Sequence, residues 1–160
     1  MTEKNKLTIT MSSDDLDRAL TGFILATTAA SMGMEVSMFF TFGGLNIIKK
    51  NNSGVKSKGL ARKILNFINR GGSKRLRLSK YNMFGLSTWM MKRLMRETHM
   101  MSVEEFIIMA HQMGIKLVAC TATIGVMGLS EDAFRSEVET FAGAAYYLNE
   151  ARESGVSLFI

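Results

Sequence analysis

The sequence predicts an α/β domain in which a parallel sheet lies between layers of helices. Five short segments rich in β-branched and apolar residues alternate with segments of helical periodicity along the 160 residues. This alternation is typical of a parallel sheet built from right-handed strand–helix–strand units. Residues 115–120 are almost wholly apolar, as in a central strand covered on both faces. A chain of this length is most simply one domain, residues 1–160.

The amino-terminal elements are a strand, a helix and a second strand. Residues 6–11, KLTITM, predict the first strand because the side chains alternate and several are β-branched. The polar residues 12–15 offer caps for a helix from about residue 14 to residue 31. Gly33 stands where a glycine commonly ends a helix. Residues 35–42 predict the second strand, which two glycines then break.

A basic segment of residues 49–80 follows a short helix predicted over residues 45–50. It carries eleven Lys and Arg residues and no acidic residue, so the rest of the chain has 9 basic and 14 acidic residues. Its Asn, Ser and Gly content predicts an inserted loop, with helix around residues 60–67. Such a cluster attracts an anion or an acidic protein surface, or simply keeps the surface solvated. We expect no nucleic acid partner, because the segment has few aromatic residues and no recognised binding motif.

Methionines are concentrated in residues 83–101. Several fall at helical spacing, and they are too numerous for one helix to bury on a single face. The pattern favours a subunit interface over a lid above the cysteine, and hence a homo-oligomer. The methionines concerned are Met83, Met90, Met91, Met95, Met100 and Met101.

The carboxyl-terminal elements continue the alternation. Ser102 and Glu105 predict a capping box at the start of a helix that Gly114 ends. The remaining predicted elements are a third strand over residues 115–120, a short helix start at 129–134, a weak fourth strand over 137–142, a helix over 143–155 and a fifth strand over 156–160.

Cysteine content and hydropathy restrict the environment of the protein. One cysteine excludes an internal disulfide, and with two histidines it does not form a four-ligand zinc set, so no metal is expected. This composition fits a reducing, cytoplasmic compartment. The start of the chain lacks the apolar region of a secretory signal. The most apolar stretch, residues 20–34, is shorter than the ~20 residues that span a bilayer, so no membrane segment is expected.

Cys120 is the candidate functional residue. It stands at the carboxyl end of the third predicted strand, and ligands of open parallel sheets bind beyond these strand ends. If a helix begins directly after it, free amides there favour the reactive thiolate. The alternative is that Cys120 is a small core residue. Nothing in the sequence positions His99 or His111 as a base beside it.

Four segments of the chain together resemble the DsrE/DsrF-like family, in the branch of DsrE-type sulfurtransferases that is also labelled predicted peroxiredoxins. KLVACTATIGVMGLSEDAF contains Cys120 and resembles the motif around the family's cysteine. The other three are similar to the branch's first crossover and second strand, to its Met-rich middle and to its carboxyl end. These segments are TTAASMGMEVSMFFTFGGLNIIKK, LRLSKYNMFGLSTWMMKRLM and YYLNEARESGVSLFI.

The resemblance implies a flavodoxin-like three-layer sandwich with a five-stranded, mainly parallel sheet, assembled into oligomers. It also implies that Cys120 carries sulfane sulfur as a persulfide or thiosulfonate. The sulfur would be exchanged with small carriers of the TusA type or with other DsrE-family proteins. We expect the amides near Thr121, Ala122 and Thr123 to hold the anionic sulfur. An internal resolving disulfide is impossible with one cysteine, which argues against a self-contained peroxidase.

Two other functions remain open at this stage. The protein could be a noncatalytic oligomeric scaffold in which Cys120 is inert. A flavin- or nucleotide-binding domain would need a phosphate-binding loop after the first strand, where MSSDDLD has no glycine and two repelling aspartates. We therefore expect no cofactor, and a sulfur-relay function with sulfurtransferase chemistry at Cys120.

Overall fold

Five parallel strands form a single sheet in the computed structural model, which describes residues 5–51, 71–79 and 83–160. The strands are β1 (Lys6–Met11), β2 (Glu35–Phe40), β3 (Lys116–Cys120), β4 (Thr140–Ala142) and β5 (Val156–Phe159). They lie in the order β4-β3-β2-β1-β5. The predicted α/β fold with five parallel strands is confirmed. This order differs from the order 2-1-3-4-5 of flavodoxin itself. The sequence did not predict the strand order.

Six helices accompany the sheet within the described residues. They are α1 (Leu16–Ser31), α2 (Leu45–Ile48), α3 (Leu86–Glu97), α4 (Val103–Gln112), α5 (Thr121–Met127) and α6 (Ala144–Arg152). The predicted short helix at 129–134 is a single 3₁₀ turn, Glu131–Ala133. The predicted helix around residues 60–67, and most of the basic segment, lie outside the described residues.

The two faces of the sheet carry different cores, because side chains alternate along each strand. Leu7, Ile9 and Met11 of β1 join the larger core, which α1 and α4 cover. Phe23 and Phe40 have no exposed surface there, and burial of each stabilises the fold by roughly 1.5–3 kcal/mol. On the opposite face a small cluster consists of Phe39, Val118 and Cys120, packed by Ala142, Tyr146 and Tyr147 at the start of α6. The helices thus lie on both sides of the sheet.

Helix ends follow the predicted signals in part. The capping box is confirmed: the Glu105 amide donates to the Ser102 hydroxyl at 3.3 Å, and the Glu105 carboxylate accepts from the Ser102 amide at 2.7 Å. Asp15 is the residue before α1, but its carboxylate accepts the Ser13 hydroxyl rather than a helix amide. The Leu16 amide donates instead to the Arg77 carbonyl at 2.7 Å. Tertiary contact therefore replaces the predicted side-chain cap.

The apolar surface of α3 fits the predicted role of the Met-rich segment only in part. Met95 is buried in the core, so it does not belong to an outer surface. Leu86, Met90 and Leu94 lie on one exposed helix face, with 57%, 54% and 48% of their surfaces exposed. An exposed apolar stripe of this kind is typical of a contact surface. The homo-oligomer stays a prediction.

Candidate functional site

The carboxyl end of the sheet brings three turns together. Cys120 ends β3 in an extended conformation, as predicted, and α5 begins directly after it, which the sequence had left open. Phe40 pairs with Ala119, so the next residue of each strand, Thr41 and Cys120, lie side by side where β2 and β3 end. The parallel order of the strands therefore places a hydroxyl beside the thiol.

Hydrogen-bond donors surround the sulfur of Cys120. Burial raises the pKa of the thiol. The Thr123 amide and hydroxyl, the Thr41 hydroxyl and the Ala122 amide together lower this pKa by a larger amount, so the net pKa lies below its ordinary value. Because α5 has only seven residues, these directed donors matter more than a helix dipole. The arrangement favours a thiolate.

Thr41 and Thr123 form a hydroxyl pair beside the thiol. Their Oγ1 atoms lie 3.0 Å apart, and the Phe42 amide donates to Thr123 Oγ1 at 3.5 Å. Each hydroxyl has one proton, so when one hydroxyl donates to the other, the second remains able to donate to the sulfur. Thr123 is only 3% exposed, which holds its hydroxyl in place.

A close backbone approach holds the turn after β2 against β1. A Cβ atom on Gly44 would lie 2.0 Å from the Met11 carbonyl oxygen, so only glycine fits there. Phe42, two residues before Gly44, has a φ of 44° and is exposed, which turns the chain sharply after β2. Consequently β2 ends at Phe40, before the predicted residue 42. The Thr41 amide donates to the Met11 carbonyl at 3.0 Å and the Gly44 amide donates to the Thr41 carbonyl at 2.9 Å, so the turn formed by the two glycines, predicted only to break the strand, also fixes the backbone of Thr41.

The predicted sulfur-holding residues contribute unequally. Ala122 and Thr123 both lower the pKa of Cys120, whereas Thr121 is exposed and is not among the groups that do so. Thr41 was missed by the sequence analysis. The signal that could have found it is a hydroxyl residue at the carboxyl end of a strand that neighbours the cysteine strand.

Cys120 is less accessible than its position at the sheet edge suggests. Only 5% of the residue is exposed, and Phe39 and Val118 bury it from below. Tyr146 and Tyr147 of α6 pack over this cluster. The Tyr147 ring lies 5.1 Å from the Phe39 ring, and its hydroxyl lies 3.2 Å from the Ser157 hydroxyl. Cys120 therefore presents little surface to a reagent.

Neither histidine lies beside the thiol. His99 is exposed in the turn after α3, with a φ of 55°. His111 lines a depression beside Lys116, at the amino end of β3. Cys120 is four residues further along that strand, roughly 13 Å at ~3.3 Å per residue. A histidine base for Cys120 is thus not provided by the fold.

Part of the positive charge of the basic segment, residues 49–80, is buried inside the protein. Lys49 is fully buried, and its ammonium donates to the Asn46 side chain at 2.8 Å, which in turn donates to Asp14 at 2.9 Å. Burial lowers the pKa of Lys49 to about 8, although the Asp14 carboxylate opposes this shift. Lys74 pairs with Glu104 at 3.3 Å. These two lysines add little to a surface patch that would attract anions.

Metal sites and membrane-spanning helices are two other classes of feature to consider in the described residues. Across residues 5–51, 71–79 and 83–160, no group of three or more His, Cys, Asp or Glu side chains is placed to hold a metal ion. In the same ranges, no helix is both long and apolar enough to cross a membrane.

The fold and the site together define an α/β protein with a single thiol at the carboxyl edge of its sheet. The DsrE/DsrF/DrsH-like family matches residues 3–159, and the chain belongs to this family. The suspected family resemblance is therefore confirmed.

Two relatives match along the whole chain. YrkE of Bacillus subtilis, an uncharacterized protein, is 37% identical over 161 residues that cover all of both proteins. The sulfur carrier protein DsrE2 of Allochromatium vinosum is 35% identical over 168 residues, which cover 99% of each chain. Among solved structures, MTH1491 from Methanobacterium thermoautotrophicum, a protein of unknown function, superposes with a TM-score of 0.57. It shares 11% identity over 96% of this chain and 97% of its own, and so supports the fold alone.

Proposed function

We propose that this protein is a sulfur-relay protein that carries sulfane sulfur on Cys120. The observation that carries the proposal is the cluster of donors from Thr41, Ala122 and Thr123, which lowers the pKa of the Cys120 thiol. Membership of the DsrE/DsrF/DrsH-like family and similarity to a protein named as a sulfur carrier support the same function. The thiolate is the nucleophilic form of cysteine, so these donors favour the chemistry of sulfur transfer.

Loading of Cys120 is a displacement at sulfur without net oxidation. The Cys120 thiolate attacks the outer, sulfane sulfur of a donor such as thiosulfate. A Cys–S–S bond forms, the donor's S–S bond breaks, and sulfite leaves with the electron pair of that bond. The charge is conserved, because a thiolate and a thiosulfate dianion become a persulfide anion and a sulfite dianion. A donor persulfide reacts in the same way and leaves as a thiolate.

Unloading reverses this step with an acceptor thiolate. The acceptor attacks the outer sulfur, takes it as a new persulfide, and releases the Cys120 thiolate. We propose that the acceptor is a small carrier of the TusA type or another DsrE-family protein. The donors that lower the pKa of Cys120 also make it a better leaving group, because a thiol with a low pKa leaves faster.

Self-association is a further part of the proposal. The exposed face of Leu86, Met90 and Leu94 is a candidate contact surface between copies of the chain. Sedimentation at micromolar concentration should give a species larger than a monomer, and Met90→Asp should shift it toward the monomer. A monomeric wild-type protein would contradict this part and leave the chemistry at Cys120 untouched.

Mass spectrometry tests the sulfur-carrier function directly. The wild-type protein is incubated separately with thiosulfate, a polysulfide and a persulfidated TusA-type carrier. We expect a mass increase of one sulfur atom that is localised to Cys120, removed by a thiol reductant and absent from Cys120→Ser. If none of the three donors loads Cys120 while the protein remains folded, the proposal is wrong.

The burial of Cys120 favours one alternative, a noncatalytic scaffold in which the thiol is inert. With 5% exposure, Cys120 fits a small core residue as well as a reactive one. The rate of alkylation against pH separates the two functions. A midpoint below the ordinary ~8.5 of a free thiol supports sulfur transfer, whereas a midpoint at or above it supports the scaffold.

A further inference from the structure

A cavity lies on the other side of the sheet from Cys120. It has a volume of about 470 Å³ and opens between α3, the first turn of α4 and the 3₁₀ turn Ser73–Arg75. Small-molecule sites commonly have volumes of roughly 300–1,000 Å³. Its walls are mainly apolar, formed by Leu16, Trp89, Met95, Met100 and Val103.

The carboxylates at this cavity are already engaged. Glu104 pairs with Lys74 at 3.3 Å and with Arg135 at 3.2 Å. Glu105 accepts the amide and the hydroxyl of Ser102, each at 2.7 Å, as part of the capping box. Neither acid is available to balance further positive charge in the cavity.

Two cations on the same wall have no carboxylate partner in the described part of the chain. Lys92 and Arg96 are four residues apart, so they project from the same face of α3. The Lys92 ammonium donates to the Lys74 carbonyl at 2.9 Å, but within the described ranges neither Lys92 nor Arg96 forms an ion pair. Burial lowers the pKa of Lys92, because partial removal from water disfavours its charged form. A bound anion would compensate this cost.

The cavity also contains an unused hydrogen-bond donor. Ser73 is 5% exposed, and its hydroxyl has no partner among the described residues. A buried hydroxyl left without a partner is unfavourable, because its hydrogen bonds to water are lost and not replaced. An oxygen of a bound anion would satisfy it, which is an observation independent of the two cations.

We propose that this cavity binds a small amphipathic anion, with an apolar body against Trp89 and Met95 and a carboxylate or sulfonate head beside Lys92 and Arg96. The apolar walls provide most of the contact area, and the cations select a negative head group over a neutral one. The site is separate from Cys120, because Leu16, Met95 and Val103 of its walls belong to the core on the opposite face of the sheet. It does not depend on the sulfur-relay function.

The only tryptophan of the chain lies in the wall of this cavity, and it reports occupancy directly. Octanoate is titrated into the full-length protein while Trp89 emission is recorded, and octan-1-ol serves as the neutral match. We expect octanoate to shift the emission to shorter wavelength and saturate at submillimolar to millimolar concentration. Octan-1-ol should bind about tenfold more weakly, which corresponds to about 1.4 kcal/mol, because its neutral head group forms no charge-assisted hydrogen bond with Lys92 or Arg96.

Variants of α3 separate an anion site from a merely apolar groove. Lys92→Met and Arg96→Gln should each weaken octanoate binding about tenfold and leave octan-1-ol binding unchanged. Arg93→Gln is the matched control, because Arg93 is on the same helix but does not line the cavity, and it forms an exposed ion pair with Glu97. Calorimetry measures these variants, since Arg93 lies 5.9 Å from the Trp89 ring and affects its emission. The proposal is overturned if octanoate does not bind, if octan-1-ol binds equally well, or if the control loses as much affinity as Lys92→Met and Arg96→Gln.

Discussion

The hydroxyl oxygens of Thr41 and Thr123 lie 3.0 Å apart and join the turn after β2 to the first turn of α5. Both hydroxyls lower the pKa of the Cys120 thiol. Cys120 is the last residue of β3, which lies between these two elements along the chain. The pair therefore connects the backbone geometry of two neighbouring strands to the charge state of the single sulfur. Together with the Thr123 and Ala122 amides, the pair outweighs the effect of burial on this pKa.

Replacing Thr123 with valine should raise the pKa of Cys120. Thr123→Val keeps the shape of the buried side chain and removes its hydroxyl, so the thiolate loses a donor. A hydrogen bond to a charged group contributes about 1.5–3 kcal/mol, and one pKa unit corresponds to about 1.4 kcal/mol. We expect a rise of about 1–2 pKa units, measured as the pH midpoint of iodoacetamide alkylation. At a pH below both midpoints, alkylation should be at least about tenfold slower.

Thr121→Val is the control for this substitution. Thr121 is also in the first turn of α5, but it is exposed and does not lower the pKa of Cys120. The alkylation midpoint of this variant should match that of the wild type. An equal shift in both variants would mean that the integrity of the turn, rather than the Thr123 hydroxyl, sets the pKa of the thiol.

Access to Cys120 should depend on Tyr146. This residue packs over the cluster of Phe39, Val118 and Cys120, while the neighbouring Tyr147 is held by contacts with Phe39 and Ser157. Tyr146→Ala should raise the alkylation rate at a pH where the thiol is fully ionised, without moving the pH midpoint. Leu148→Ala, on the exposed side of α6, should leave the rate unchanged. A wild-type rate in Tyr146→Ala would place the barrier to access elsewhere.

A methyl group on Gly44 should destabilise the fold strongly. The new Cβ would lie 2.0 Å from the Met11 carbonyl oxygen, which is backbone and cannot move aside cheaply. We expect Gly44→Ala to lower the free energy of unfolding by at least about 3 kcal/mol, measured by urea denaturation. Gly125→Ala should instead be neutral or stabilise by up to about 1 kcal/mol, because its Cβ meets open space within α5. Similar losses in both variants would contradict the steric explanation.

The ion pair of Arg135 and Glu137 should make stability depend on pH in acid. Burial raises the pKa of Glu137, but Arg135 at 2.7 Å, the Glu137 amide and the Ser136 hydroxyl together lower it by a larger amount, so the net pKa is below its ordinary value. The folded state therefore binds this proton less readily than the unfolded state. The contribution is complete above the unfolded pKa of Glu137 and is lost as pH falls through its lower folded pKa.

Glu137→Gln tests this dependence. At neutral pH it should lower the free energy of unfolding by about 2 kcal/mol, because the partly buried Arg135 loses a charged partner. The difference from the wild type should shrink as the pH falls through the titration of Glu137. Glu97→Gln is the control: its ion pair with Arg93 is exposed, so we expect a change within about 0.5 kcal/mol. A difference that is constant from neutral to acid pH would exclude titration of Glu137 as the cause.

Much of the fold could be predicted because its signals are local. The alternation of residues 6–11, the capping box at Ser102 and the glycine at 33, with its φ of 82°, each determine an element through nearby residues. The run that ends at Cys120 was likewise sufficient to place the cysteine at the carboxyl end of a buried strand.

Tertiary structure decided the strand order, the position of the Thr41 hydroxyl beside Cys120 and the packing of tyrosines over Cys120. Thr41 is 79 residues from Cys120 along the chain, and only the parallel pairing of β2 with β3 makes them neighbours. The burial of the thiol depends on α6, which returns over the sheet after β4 and places two tyrosines above it. Contacts between segments distant along the chain leave no periodic or spacing signal in either segment. The sequence by itself therefore determined which atom is the candidate nucleophile, and packing decided its donors and its accessibility.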